Sequence, residues 1–241
     1  MNNFCAGLVS WLLLPVAAYH GFGIRRRTPR IPPPRGPQSG QVGEGRPAYR
    51  ILVMGDSSAA GVGADSVSDT LGPQLARIVN QRTGESVAWR NAGANSAMAH
   101  QVRDYIVPHI EARDFTHVVI AVGTNDMKNY VGARRFKAGF GGLLHAVHAR
   151  WPEAIVLWSP VVHMLDVPAL SPALAAILKL RTQIINSTGE QLCRERQAFA
   201  TAPLPVHGAE GFADDGFHAN AAGYRAWAEH VADVILAAPG P

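Results

Sequence analysis

From Tyr49 onward, short runs of Val, Ile and Leu alternate with longer stretches of helical spacing, and nothing else in the chain restricts its fold as much. Ile51–Met54, Val87–Asn91, His117–Val122 ("HVVIAV"), Ala154–Ser159 ("AIVLWS") and a weaker Ala198–Ala202 read as strands. Between them, Leu71–Arg82, Ala97–Ala112, Phe136–Arg150, Pro172–Arg196 and Asn220–Ala237 repeat like helices, with Pro108 placed to kink or split the second. Strands apolar on both faces and separated by helices predict an α/β domain with a mostly parallel, five-stranded sheet covered on both sides. In such folds ligands bind beyond the carboxyl ends of strands, beside the topological switch point. The search for chemistry therefore narrows to the residues that follow each strand.

Each of those ends carries a different chemical tool. Gly55-Asp56-Ser57 follows the first strand, and Ser57 is a nucleophile if a base takes its proton. "NAGANS" follows the second, where Gly93 has no side chain to keep its backbone N–H away from a substrate. Gly123-Thr124-Asn125-Asp126 follows the third, and Asn125 adds an amide donor. Before the last helix stands Asp214-Asp215-Gly216-Phe217-His218. Asp215 and His218 lie three apart, so the carboxylate can hold one imidazole nitrogen while the other faces outward. The N–H groups of Ser57 and Gly93 with the Asn125 amide would give an oxyanion three donors. Singly, each block is a common turn; their arrival at one edge carries the reading. Asp56 reads as holding its loop, Asp126 as bracing its turn, Ser58 as a lesser contender for nucleophile, and His163 as packed or solvated. Gly61 to Ala64 reads as slack beside an acyl pocket. Neither G-x-x-x-x-G-K-[ST] nor G-x-G-x-x-G occurs there, against a phosphate loop, and G-x-S-x-G fails too, against an ordinary α/β-hydrolase.

On these four blocks the sequence resembles the SGNH hydrolases, the GDSL-type esterase and lipase superfamily. The resemblance runs from about Tyr49 to Ala238. It implies a three-layer α/β/α sandwich of flavodoxin type and ester hydrolysis through an acyl-serine, with no metal or organic cofactor. It also implies Ser57, Asp215 and His218 as the catalytic residues, and Ser57, Gly93 and Asn125 as the oxyanion hole. Two departures stand out: Ala219 follows the histidine where the family often has proline, and Asp214-Asp215 offers two acids, of which the spacing selects Asp215. The alternative on the same fold is an acyltransferase that moves the acyl group to a sugar or lipid alcohol. A nucleotide-binding module and a catalytically silent binding protein are the rivals outside that chemistry.

Charge is uneven along the chain. Residues 1–50 hold seven arginines against Glu44, a net of +6, while the remainder holds 15 basic and 17 acidic residues, a net of −2. The main domain therefore has no electrostatic footprint for nucleic acid, and the expected partner is a small-molecule, lipid or sugar ester. Phe4 to Ile24 is 21 residues without Asp, Glu, Lys or Arg, followed by Arg25-Arg26-Arg27. As one helix it would span roughly 30 Å, about a hydrocarbon core. The arginines follow the apolar run instead of preceding it, which favours a membrane anchor over 1–24, with the catalytic domain cytoplasmic, over export after signal-peptide cleavage. A helix packed on the domain is the third reading. Residues 25–48 read as an Arg/Pro/Gly-rich linker, because Thr28–Pro47 holds six prolines and four glycines; the hydrolase domain is 49–239. Cys5 and Cys193 build no disulfide framework and imply no oxidising compartment.

Overall fold

The computed structural model describes residues 3–204 and 208–237, so the expected domain end at 239 lies outside the described residues. Six strands form one sheet: β1 (Ser39–Val42), β2 (Tyr49–Gly55), β3 (Val87–Gly93), β4 (His117–Ala121), β5 (Ile155–Trp158) and β6 (Phe199–Ala200). Their order across the sheet is β1-β3-β2-β4-β5-β6. All neighbours are parallel except β1, which runs antiparallel to β3. The chain leaves β2 for β3 on one side, then crosses back to place β4 on the other. The switch point thus falls at the carboxyl end of β2, where Gly55-Asp56-Ser57 begins.

Alternation along the strands feeds two cores. Leu52, Met54, Val118, Ile120, Val156 and Trp158 point to one face, and Ile51, Val53, Val119, Ala121 and Leu157 to the other. The first face packs with α6 (Ala133–Arg150) and α7 (Pro172–Glu195), the second with α3 (Leu71–Thr83) and α8 (Ala221–Ala237). This is the three-layer α/β/α architecture the resemblance implies. Pro108 does split the helix expected over 97–112: α4 (Ala99–Gln101) runs into a π turn (Val102–Ile106) and then a 3₁₀ turn (Val107–His109). A short helix, α5 (Thr124–Lys128), follows β4.

Two expectations are corrected. The sheet has six strands rather than five, because Ser39–Val42, inside the stretch read as linker, pairs with β3. A Pro- and Gly-rich segment needs no core to do this; it needs only an open edge and room. A Cβ at Gly40 would meet the Trp89 ring at 2.8 Å, so glycine there admits the close approach. Nor does the apolar amino terminus form one helix. It makes α1 (Asn3–Leu12) and α2 (Leu14–Arg27), bent by 67° at the break. Pro15, in the first turn of α2, has no N–H to continue the hydrogen bonds of α1. Among the described residues no single helix is long and apolar enough to cross a membrane, although the bent pair together passes that test of length and composition.

Candidate active site

The exit from β2 is built around Gly55. It has φ +154°, and a Cβ there would collide with the Ala121 carbonyl. The next N–H, on Asp56, donates to that carbonyl at 3.0 Å and fastens the turn to β4. Ser57 follows, 7% exposed. Among the described residues its own N–H meets no acceptor, an open donor beside the Ser57 hydroxyl.

The second half of the site comes from the loop before α8. Asp215 Oδ1 accepts the N–H groups of Phe217 and His218, both at 2.9 Å, which folds D-x-x-H into a tight turn. Gly216 supplies the positive φ, +63°, at its corner. His218 Nδ1–H donates to Asp215 Oδ2 at 2.5 Å, and Ser57 Oγ–H donates to His218 Nε2 at 3.1 Å. Burial pushes the Asp215 carboxyl up, but the His218 side chain and the two backbone N–H groups more than offset it and hold it below the ordinary carboxylate value. An ionised Asp215 fixes the proton on Nδ1 and leaves Nε2 free to accept from Ser57.

The glycine-rich tail after Ser57 is not slack. Gly63 has φ +97°, and a Cβ there would strike the Ala219 carbonyl and approach His218 Cβ at 3.0 Å. The tail is the surface against which the His218 turn docks. Tyr224 Oη on α8 holds it further by donating to the Val62 carbonyl at 2.8 Å. Asn220, read only as a helix start, also locks this turn: its Nδ2 donates to Glu210 and Phe212 carbonyls at 2.8 and 2.9 Å, and its Oδ1 caps Gly223 N–H at 3.0 Å.

Asn125 lies in α5, and its Nδ2 donates to Asp56 Oδ2 and to the Ala97 carbonyl, both at 3.1 Å. Asp56 therefore holds more than its own loop, where it accepts Ser58 N–H at 3.0 Å; it also fixes the Asn125 amide. Burial pushes Asp56 up, with the Ser58 N–H, Lys128 and His218 working against that. Asp126 does not brace its own turn alone: its Oδ2 accepts Ala99 N–H at 3.1 Å, tying α5 to the segment that follows β3. Burial lifts Asp126 to about 6. Gly93 pairs in register with Gly55 and packs so closely on the Ala59–Ala60 backbone that any Cβ would collide. It lines a more open concavity, with Arg90 and Tyr105, and not the cavity beside Ser57.

A cavity of about 270 Å³ opens on Ser57 and His218. Its walls are Val122, Val161, Met164, Phe212, Phe217 and Trp227, so it suits an apolar chain. Trp227 Nε1–H is satisfied by Ser159 Oγ at 3.0 Å, which keeps the indole in place. Sequence reasoning also missed Lys128, whose ammonium stands 4.8 Å from the Phe217 ring centroid beside the triad. His163 is exposed and does not line the cavity. Among the described residues no group of three His, Cys, Asp or Glu side chains is placed to hold a metal ion.

A flavodoxin-like sheet with Ser57, His218 and Asp215 joined by hydrogen bonds at its switch point is the architecture of the SGNH hydrolases. The model of the GDSL-like lipase/acylhydrolase family matches residues 53–226, and the chain belongs to that family of carboxylic ester hydrolases. Solved structures agree on the fold. An esterase, EstA, from Pseudoalteromonas sp. is 16% identical, with TM-score 0.60 over 78% of this chain and 97% of its own. A lipase/acylhydrolase from Enterococcus faecalis is 18% identical, with TM-score 0.58 over 78% and 95%. An extracellular lipase from Streptomyces rimosus is 16% identical, with TM-score 0.56 over 77% and 99%. No functionally curated protein matches the chain.

Proposed function

We propose that the protein cleaves carboxylic esters with an apolar acyl chain through an acyl-Ser57 intermediate. The observation that carries this reading is the continuous relay Asp215–His218–Ser57, with bonds of 2.5 and 3.1 Å, at the mouth of an apolar cavity. His218 Nε2 takes the Ser57 proton as Oγ bonds to the ester carbonyl carbon. Asp215 stabilises the imidazolium. The tetrahedral oxyanion is held by the open Ser57 N–H and by the Asn125 amide, with the Gly93 N–H as the third donor that the family resemblance implies. Asn125 reaches it by releasing the Ala97 carbonyl while Asp56 Oδ2 keeps the amide oriented. Collapse breaks the bond to the alcohol, which leaves with the proton from His218. Water, deprotonated by His218, then cleaves acyl-Ser57 and restores the free serine.

The test is turnover of a p-nitrophenyl ester series of increasing acyl length by the full chain. The reading expects a Ser57-dependent rate that rises with chain length until the cavity is filled. A Ser57→Ala variant with wild-type turnover would refute it. The same assays with sugar or lipid alcohols present, products identified by mass, distinguish water from an alcohol as second nucleophile and so decide between hydrolase and acyltransferase.

A further inference from the structure

The amino-terminal helix pair has its polarity reversed. A helix that covers a soluble domain turns large apolar residues inward and polar ones outward. On α1 the residues against the domain are Asn3, Ala6, Gly7 and Ser10, the i, i+3, i+4, i+7 set that forms one helical face. Ala6 and Ser10 are fully buried, Asn3 Nδ2–H donates to Ser187 Oγ at 2.7 Å, and Gly7 faces Ile184. The outward side carries Phe4, Leu8, Trp11 and Leu12, between 53% and 78% exposed. On α2, Ala17 is buried while Val16, Tyr19 and Phe22 are exposed. Small residues inward and large apolar residues outward is how a helix packs when its outer medium is lipid.

Charge identifies which lipid. Arg25, Arg26 and Arg27 end α2, all exposed, and none pairs with a carboxylate among the described residues. Arg26 lies over the Phe22 ring at 5.5 Å, which joins the basic cluster to the apolar face. Length excludes a span by either helix: ten and fourteen residues reach about 15 and 21 Å, short of the ~30 Å core.

We propose that α1 and α2 form a membrane-surface docking device, seating Phe4, Leu8, Trp11, Leu12, Tyr19 and Phe22 in the interface of an anionic bilayer with Arg25–Arg27 on its headgroups. Aromatic residues beside arginines suit that interface, and anionic lipid adds attraction to each cation. The cytoplasmic leaflet is the anionic one, in accord with the side that the arginine bias assigns. This inference goes beyond the esterase reading and stands without it.

The experiment is co-sedimentation of the full chain with vesicles of phosphatidylcholine alone or mixed with phosphatidylglycerol, at low and high salt. Binding is expected on the mixed vesicles, reversed by salt. Replacing Arg25, Arg26 and Arg27 together by Gln should weaken it about 100-fold. Leu8→Ser with Leu12→Ser should abolish it. Turnover of a soluble ester and the circular dichroism spectrum report whether each variant is folded, since none of these residues touches the site. Equal binding to both vesicle types would overturn the proposal, as would protein that resists salt and alkali and leaves only with detergent, the behaviour of a spanning anchor. No binding, together with a dimer that the double serine variant dissolves, would assign the face to a second copy of the chain and overturn it as well.

Discussion

At the carboxyl edge of the sheet, the three buried carboxylates each have partners: Asp56 with Ser58 and Asn125, Asp126 with Ala99, Asp215 with Phe217 and His218. Around α1 and α2 the arrangement is the opposite. Large apolar side chains are exposed, and beneath them two buried polar atoms, Tyr130 Oη and Arg181 Nε, lack a hydrogen bond. Both lie close to α1: Trp11 stacks edge-on against Tyr130 at 5.3 Å, and Arg181 Nη1–H reaches Ser10 Oγ at 3.4 Å. A buried polar group without a partner costs stability. One region is built to hold atoms in place and the other to present a surface.

The largest effects should therefore come from the edge. Ser57→Ala or Asp215→Asn should lower kcat by about 10⁴. Binding of a non-cleavable ester analogue should persist, as equilibrium titration would check. Asn125→Ala should cost on the order of 10²–10³ in kcat with little change in KM. A rise in KM at constant kcat would instead make Asn125 a ground-state binder and weaken the comparison.

The acids sharpen it through pH. The folded pKa of Asp126, about 6, lies above the unfolded value of about 3.9, so the native state binds this proton more tightly. Its stabilising contribution is complete below about pH 4 and is lost as pH rises through 6. Chemical unfolding of wild type and Asp126→Asn at about pH 4.5 and 7 should show the wild type losing more stability across that interval than the variant. Asp215 is common to both proteins and cancels in the difference, while the Asp56 charge that helps to raise Asp126 is part of the effect the variant removes. Equal pH dependence in the two would mean that Asp126 is not a proton-holding brace.

Smaller effects separate the two sides of α1. Ala6→Leu, on the inward side, should cost about 1–3 kcal/mol by overpacking, whereas Leu8→Ser, on the outward side, should stay within about 0.5 kcal/mol in solution. Paired thermal or denaturant melts measure both.

Much of the edge was legible in the sequence because its chemistry sits in short local blocks. Strand periodicity located the blocks, and the three-residue spacing of Asp215 and His218 survives as a closed turn. What was not legible depends on distant segments meeting. Val122, Met164, Phe217 and Trp227 come from four separate stretches, so no local pattern marks them as one wall. Lys128 looks like any helix-end cation until Phe217 is folded against it. The Asp56–Asn125 bond joins residues 69 apart in sequence. β1 was hidden for another reason: Pro and Gly signal the lack of a packed core correctly, but an edge strand borrows its hydrogen bonds from β3 and needs no core of its own. Gly63 misled in the same way, since its freedom serves close approach to His218 rather than motion.

Ser57 as nucleophile and His218 as its base is the reading on which the rest depends. Fluorophosphonate labelling of the full chain, followed by intact mass and peptide mapping, tests it most directly. One adduct on Ser57 is expected in the wild type, none in Ser57→Ala, and a rate slowed by at least about 10³ in His218→Ala. Labelling of Ser58, or an undiminished rate without the imidazole, would contradict the account.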